Sequence, residues 1–499
     1  MDQLQLAENA HSKAKGLDLR WQELCRRYLP LTYKDSIWRF SRESLPNDPD
    51  QGWKLHIAAT VLNAPDVLDA VGPFFQRRGI LYKAPRTLSE INNLNSGIHY
   101  GYCQVGKFLT VYPECTDEAR KLARMLHQLT RRFSGPSIPF DLRYQPDSCV
   151  FYRYGAFKRL TLPGEKLLQA AIRNPKGELV PDTRDSAPKP GWVTDLFPAS
   201  AVASAPKETL LNTTFKAFRA LAQRGKGGVY QAVDFSATPP RFAVLKEGRK
   251  LGEIGWDGRD GFWRVQHEER VLSSLRKAGV NVPRLYSSFI AEANQYLALE
   301  FIEGGSFEEY LIRRQRRLRV SFALKLGIRI AELLAQIHQA GWVWRDCKPR
   351  NLILTKNGGL RPLDFEGACR VDEPDPEPWG TPCYVPPEWH SPFCGKSRLP
   401  EDLYALGATI FMLFAGHPPQ SRAPSLHKYR RNVPPGVVAI IRGLLDSCPE
   451  SRPSAQSVAH RLQLELHFCS KGLNESFPVY SVKNHTGGPS RRNSRHSDS

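Results

Sequence analysis

In the stretch GWKLHIAA (52–59) a lysine and a histidine stand two residues apart between apolar neighbours. Read as a strand, the run sends Trp53, Leu55 and Ile57 to one face and Lys54 and His56 to the other, about 7 Å apart along the chain. Taken alone, that second face is a solvated edge. The pattern recurs, however: Lys83 in GILYKAP, Lys107 in VGKFLTVYP, Arg143 in PFDLRYQP and Arg153 in VFYRYGAF each sit among apolar and aromatic residues. One such residue is explained by snorkelling, with the stem on apolar surface and the charge in water. A succession of them has the composition of a phosphate pocket, because a dianion drawn out of water needs several fixed cations. Arg153, inside the aromatic run, is the stronger phosphate candidate; Arg143 alternatively pairs with Asp141, and Tyr112 reads equally as core.

A second group of residues carries a different chemistry. Gly225, Gly227 and Gly228 precede Val229 in a strand-like run, where backbone N–H groups can approach phosphate oxygens with no Cβ in the way. RFAVLKEG brings Lys246 to bridge the phosphates, and WRVQHEERVLSSL brings its acidic partner, Glu268 rather than Glu269 by register. YLALEFIEGGS runs into a hinge whose backbone at Glu300–Ile302 can hold a purine base. WVWRDCKPRNLIL then presents Asp346, Lys348 and Asn351, LRPLDFEGA adds Asp364, and Pro387-Glu388 follows. In order and spacing these residues resemble the catalytic loop, metal-binding motif and activation-segment end of protein kinases. The resemblance implies that Asp346 orients an attacking hydroxyl and accepts its proton, that Lys348 lies near the γ-phosphate, and that Asn351 and Asp364 hold Mg²⁺. Thr381, in GTPCYVPPE, would help place a Ser/Thr acceptor, Asp402 would brace the catalytic loop, and Arg452 would pair with Glu388. ATP is the expected nucleotide and GTP the alternative. Trp344 stands where most kinases have histidine, and the usual Asp-Phe-Gly is Asp364-Phe365-Glu366-Gly367; neither departure removes a catalytic group. CRVDEPDPEPWG (369–380) has no hydroxyl residue, so an activation segment ordered without phosphorylation is expected.

Together the two groups resemble class III lanthionine synthetases, in which a phosphoserine/phosphothreonine lyase domain precedes a Ser/Thr kinase domain. Over residues 30–185 the likeness rests on Lys54-x-His56, Tyr82-Lys83, GKFLTVYP and YRYGAF occurring in that order, and the family shares the Asp-Phe-Glu-Gly. It implies that Lys83 takes the Cα proton of a phosphorylated residue and that His56 protonates the leaving phosphate oxygen. Lys54 would contact the phosphate or the developing enolate, and Lys107, Arg143 and Arg153 would bind phosphate. Free lysine titrates near ~10.4, so desolvation and neighbouring cations must bring Lys83 down before it can act as a base. The implied activity is dehydration of Ser and Thr in a ribosomally made precursor peptide, by phosphorylation and then β-elimination. The family continues into a cyclase domain where this chain has a short tail, so the resemblance implies either a separate cyclase as a further partner or a product that keeps its dehydro residues. A signalling Ser/Thr kinase with a phosphopeptide-binding N-terminal domain is the alternative. The joint presence of Lys83 and His56 weighs against it, since binding requires neither an acid nor a base.

These side chains need strands and one long helix to hold them. The expected architecture is α+β and multidomain. An α+β lyase-like domain spans 1–185, a Pro/Ala/Ser-rich linker 186–206, a bilobal protein-kinase-like domain 207–468 and a disordered tail 469–499 that ends in HTGGPSRRNSRHSDS, without an apolar residue. TDEARKLARMLHQLTRRF reads as a helix capped by Thr116, with Leu122, Met125, Leu126 and Leu129 as its apolar stripe. SFALKLGIRIAELLAQIHQAG carries Leu326, Ile330, Leu333 and Ile337 on one stripe. A net charge of +20 points to an anionic partner, but no run interleaves basic and aromatic residues densely enough for nucleic acid. Ten scattered cysteines without Cys-x-x-Cys fit a reducing compartment, and Cys383, His390 and Cys394 fall in the kinase pattern rather than in a metal site. The polar N-terminus has no signal-peptide core and no apolar stretch is long enough to span a bilayer, so a cytoplasmic protein without a membrane partner is expected.

Overall fold

The computed structural model describes residues 3–158, 160–162, 169–197, 210–314, 317–373, 375, 377, 379–390, 399–420 and 425–469. The chain divides into two compact units, residues 1–274 with 284–301 and 375–378, and residues 275–283 with 302–374 and 379–499.

The first unit opens with α1 (Gln3–Tyr28), β1 (Leu31–Thr32), β2 (Trp38–Phe40), β3 (Gln51–Ile57), α2 (Ala64–Arg78) and β4 (Tyr82–Pro85). It continues through α3 (Leu88–Ser96), β5 (Leu109–Val111), α4 (Thr116–Thr130), β6 (Leu142–Arg143) and β7 (Val150–Ala156). The strands make one antiparallel sheet in the order β1-β2-β4-β5-β3-β7-β6. Each of the five cation-bearing runs supplies one of its strands. Trp53, Leu55 and Ile57 enter a core shared with Val67 and Leu68 of α2 and Leu122 and Leu126 of α4. At roughly 1.5–3 kcal/mol per buried side chain, that face locks the register, and the register in turn sends Lys54 and His56 to the opposite face.

Several expectations change here. The α4 stripe is Ala119, Leu122, Ala123, Leu126 and Thr130, while Met125 is exposed. Its N-cap is Cys115, with no side-chain hydrogen bond, so Thr116 is the first helical residue and not the cap. Residues 187–197 are not a linker. Leu196 is buried and accepts from Arg120 Nε, Tyr152 donates its hydroxyl to Asp195, and Phe197 packs edge-on against Tyr144 and Tyr152. Residues 198–206 of the expected linker, and the tail beyond Cys469, lie outside the described residues.

A small sheet follows: β8 (Thr161–Leu162), β9 (Gln169–Arg173) and β10 (Leu179–Pro181), in the order β10-β9-β8. The same unit holds β11 (Phe215–Arg224), β12 (Gly227–Asp234), β13 (Arg241–Gly248), α5 (Gly261–Lys277), β14 (Leu285–Ala291) and β15 (Asn294–Glu300). These strands form an antiparallel sheet ordered β11-β12-β13-β15-β14. Phe215 and Phe289 stack in its core beside Ala232, Leu245 and Ala298.

The second unit is mainly helical. It contains β16 (Gly304–Ser306), α6 (Phe307–Arg313), α7 (Val320–Gln339), β17 (Trp342–Val343), β18 (Leu352–Thr355), β19 (Leu360–Pro362) and β20 (Cys369–Arg370). Helices α8 (Leu399–Ala415), α9 (Leu426–Tyr429), α10 (Pro435–Leu444) and α11 (Ala455–Cys469) complete it. The expected stripe of α7, Leu326, Ile330, Leu333 and Ile337, is buried. An N-terminal α+β region thus precedes a sheet-rich lobe and a helical lobe.

Candidate functional site

The ladder brings the sequence-distant cations to one face. Lys54 on β3 pairs with Arg153 on β7, His56 pairs with Thr110 on β5, and Thr110 pairs with Lys83 on β4. Directly paired residues present their side chains to the same side of a sheet. This face is not a solvated edge: Lys54, His56, Lys107 and Arg153 are 8%, 3%, 4% and 2% exposed.

Two carboxylates hold the cluster, and neither was assigned this part from the sequence. A turn at Phe140 (φ 63°) precedes Asp141, whose Oδ2 lies 2.5 Å from His56 Nδ1 and whose Oδ1 lies 3.3 Å from Lys107 Nζ. Asp182 follows β10; it accepts from Arg153 Nη2 at 2.9 Å and from Arg184 Nε at 3.1 Å. Gly155 clears the space for that pairing, since a Cβ there would lie 3.0 Å from Asp182 Oδ2. Five basic side chains, Lys54, Lys83, Lys107, Arg153 and Arg184, thus share the neighbourhood of two carboxylates. Arg153 Nε is buried and makes no hydrogen bond, with Asp141 Oδ1 3.9 Å away. A buried donor without an acceptor among surplus cations fits an anion.

The electrostatics follow from burial and crowding. Burial, Arg184 and Lys107 bring the Lys83 amine down to about 7. The Trp38 ring, 4.1 Å from Nζ, opposes them by favouring the ammonium. Burial, with Arg184 and Arg153 adding to it, pushes Lys54 well below the ordinary lysine range. Burial lowers His56 to about 4, against the pull of Asp141 and with that of Lys107 and Lys54. For Asp141 burial works against ionisation, yet His56 and Lys107 hold its carboxyl below the usual range. Asp141 occupies Nδ1 of His56, which leaves Nε2 for a ligand.

Arg143 departs from its expected role. Its guanidinium donates to Ser148 O and Ser137 Oγ and lies 4.5 Å over the Phe151 ring, so it closes a local loop. It does not pair with Asp141 either, because that carboxylate is taken by His56 and Lys107. Tyr112 is half-buried, 6.0 Å below Lys54 Nζ and edge-on to Phe157, so it borders the cluster rather than the core.

Elsewhere in the first unit, Lys246 pairs with Glu268 at 2.6 Å, whereas Glu269 accepts from Ser288. Val229 is the ladder partner of Lys246. The glycine cluster has a packing reason at every position. Gly225 and Lys226 form the two-residue tip between β11 and β12; Gly225 N donates to Ser96 O, and Lys226 O accepts from Arg249 N. A Cβ on Gly225 would lie 1.6 Å from Asn95 O, one on Gly227 1.8 Å from Glu247 O, and one on Gly228 2.3 Å from the Tyr230 hydroxyl. The Gly225 amide is therefore committed inside the protein and not to a phosphate. Glu300 ends β15 with its amide on Arg284 O; Ile302 lies two residues beyond.

In the second unit Asp346 Oδ2 accepts from Lys348 Nζ at 2.6 Å and Asn351 Nδ2 at 2.8 Å, while Oδ1 accepts from the Thr381 hydroxyl at 2.9 Å. Asn351 spends its amide nitrogen on Asp346, which leaves its oxygen, with the Asp364 carboxylate, as the hard donor type that suits Mg²⁺. Trp344 and Arg345 donate backbone N–H to Asp402 at 2.7 and 2.6 Å, and Arg452 grips Glu388 with two bonds. The departures from the usual kinase pattern have structural reasons. Trp344 stacks on Phe365 and its indole donates to Asp364 O, a contact that holds Asp364 and Phe365 in place. Gly367 faces Trp379 so closely that a Cβ would lie 1.9 Å from the indole nitrogen. Among the described residues no group of three His, Cys, Asp or Glu could hold a metal, and no helix is long and apolar enough to cross a membrane. Cys394 lies outside them.

Residues 31–209 match the family model described as the RamC N-terminal domain, and residues 225–462 match the protein kinase domain. Probable SapB synthase of Streptomyces coelicolor is 31% identical over 400 residues, covering 77% of this chain and 41% of that protein. Serine/threonine-protein kinase PknA of Nostoc sp. is 27% identical over 52% of this chain and 48% of its own. CBL-interacting serine/threonine-protein kinase 24 of Arabidopsis thaliana is 30% identical over 39% and 46%. The chain spans less than half the length of each of these relatives.

Proposed function

Because the chain carries a RamC N-terminal domain followed by a protein kinase domain, we propose that it dehydrates Ser and Thr residues of a peptide in two steps, as a lanthipeptide-type dehydratase. In the first step Asp346 orients the substrate hydroxyl and takes its proton, with Lys348 and Thr381 fixing the carboxylate. A purine nucleoside triphosphate, ATP or GTP, is the phosphoryl donor. Asn351 and Asp364 would hold Mg²⁺, which when bound neutralises phosphate charge.

In the second step Lys54, Lys107, Arg153 and Arg184 bind the phosphate of the modified residue. Lys83 removes the Cα proton; that electron pair becomes the Cα=Cβ bond as the Cβ–O bond breaks. Phosphate leaves with a proton from His56 Nε2. At rest burial and the lysines keep the imidazole neutral, and the incoming dianion offsets those lysines and favours the proton. The observation that carries this reading is Lys83 on the same sheet face as His56 and a buried cation cluster that contains an arginine N–H without a hydrogen bond, where burial, Arg184 and Lys107 bring the Lys83 amine down. A binding module has no use for such a base.

The test is the intact mass of a Ser/Thr-rich peptide encoded beside this protein, incubated with the full chain, Mg²⁺ and ATP or GTP. Loss of water with the wild type, and retained phosphate with Lys83→Ala, are expected. Phosphopeptide without water loss in both would remove the dehydratase reading for that peptide and leave a signalling kinase.

A further inference from the structure

A cavity of about 210 Å³ opens in the first unit beside the cation cluster, and neither catalytic step uses it. Tyr33, Phe40, Leu81, Tyr112 and Phe157 supply apolar walls. It is continuous with the cluster at three points. Phe40 is the ladder partner of Lys83. The Tyr112 ring lies 6.0 Å from Lys54 Nζ and meets Phe157 edge-on at 5.2 Å. Phe157 in turn lies over Gly52, which shares the strand face of Lys54 and His56; a Cβ there would lie 3.0 Å from the ring, so the glycine leaves the ring its place.

The charges around the opening are spoken for. Arg42 binds Asp48 through two bonds of 2.8 Å and also donates to two backbone carbonyls, and Lys158 pairs with Asp50 at 2.9 Å. The cavity therefore offers aromatic and aliphatic surface to its occupant and no unmatched charge. A peptide whose phosphate sits on Lys54 and Arg153 advances at most ~3.3–3.6 Å per residue, so a wall 6.0 Å from Lys54 Nζ is one or two residues away.

We propose that this cavity is a specificity subsite for an apolar side chain, of leucine to phenylalanine size, one or two residues from the phosphorylated Ser or Thr. The proposal rests on the lyase reading for its substrate, a phosphopeptide.

The experiment uses the full chain without nucleotide and synthetic phosphoserine peptides with leucine or serine placed in turn at the two positions on either side. Phosphate release reports elimination, and fluorescence anisotropy on Lys83→Ala reports affinity. At one position leucine is expected to raise kcat/KM, and to tighten binding, by about tenfold over serine. Tyr33→Ala, at a side chain half exposed to solvent, and Leu81→Trp, which fills the space, should each bring that ratio toward one. Equal affinity for leucine and serine peptides at all four positions would overturn the subsite while phosphate release left the lyase reading standing. Tighter leucine binding with no phosphate release from any peptide would remove the lyase reading and keep the subsite as part of a phosphopeptide-binding surface.

Discussion

Lys83 can take a proton only after losing its own, and that sets a pH signature. Its amine is held near 7 by burial and by two cations, Arg184 and Lys107. On a preformed phosphopeptide, kcat/KM for elimination should rise with pH through a limb near 7. A neighbouring cation disfavours the ammonium, so removing one lets Lys83 keep its proton to higher pH. Arg184→Ala is therefore expected to move the limb upward, read from a pH–rate profile. The phosphate's own second ionisation, near ~6, does not depend on Arg184 in the free substrate; a limb unmoved in Arg184→Ala would assign it to substrate and not to Lys83. The two arginines show what residue type and neighbours can and cannot say. Arg143 and Arg153 both lie on strands with aromatic neighbours, but Arg153 meets Asp182 and Arg143 meets Ser148 O and Ser137. Asp141 was visible as a candidate partner, yet its actual partners, His56 and Lys107, are separated from it by 85 and 34 positions in the chain.

At the scale of elements, the activation segment carries its own anion. Between Cys369 and Gly380 it has no hydroxyl residue, and the Asp375 carboxylate receives two bonds from Arg259, at 2.7 and 2.9 Å. A carboxylate held by an arginine makes the same kind of pairing that a phosphate on that segment would make, so the segment is expected to need no modification step. Arg259→Ala, or Asp375→Ala, should slow peptide phosphorylation by about tenfold, measured as phosphopeptide formed in a Lys83→Ala background, and leave elimination of a preformed phosphopeptide unchanged. The β11–β12 tip makes a second prediction. Gly225 has no room for a Cβ against Asn95 O, so Gly225→Ala should lower the midpoint of thermal unfolding, with a cost of about 1–3 kcal/mol. A glycine kept only for phosphate would instead weaken nucleotide binding at an unchanged midpoint. Elements differ in legibility for physical reasons. The strand runs declare themselves by alternation. Helix α2 does not, because Pro73 interrupts its pattern and Gly72 is there for the Tyr28 ring, which a Cβ would meet at 2.6 Å.

For the whole molecule, the proposed pair of reactions on one chain would have a kinetic consequence. A phosphorylated intermediate made on the same chain would be at high effective concentration for the proposed lyase site, so little of it should escape. On the proposed roles, Asp364→Asn should block the first step and Lys83→Ala the second. A mixture of the two variants should still dehydrate the peptide, but through free phosphopeptide visible by mass spectrometry and with a rate that falls on dilution, unlike the wild type. Equal phosphopeptide release by wild type and mixture would remove any advantage of joining the sites. The sequence by itself determined the order of the two matched regions and placed the acidic and basic residues from which both candidate sites are drawn. Asp346, Lys348 and Asn351 fall within one short loop, and short loops are written contiguously; the cations sit on alternating strands, whose period is visible in a single run. Only the tertiary structure decided which carboxylates hold those cations, which arginine joins them, why the glycines are glycines and that residues 187–197 belong to the first domain. Each of those depends on side-chain partners brought together by register and by turns, and a linear pattern does not encode which distant residue arrives opposite another.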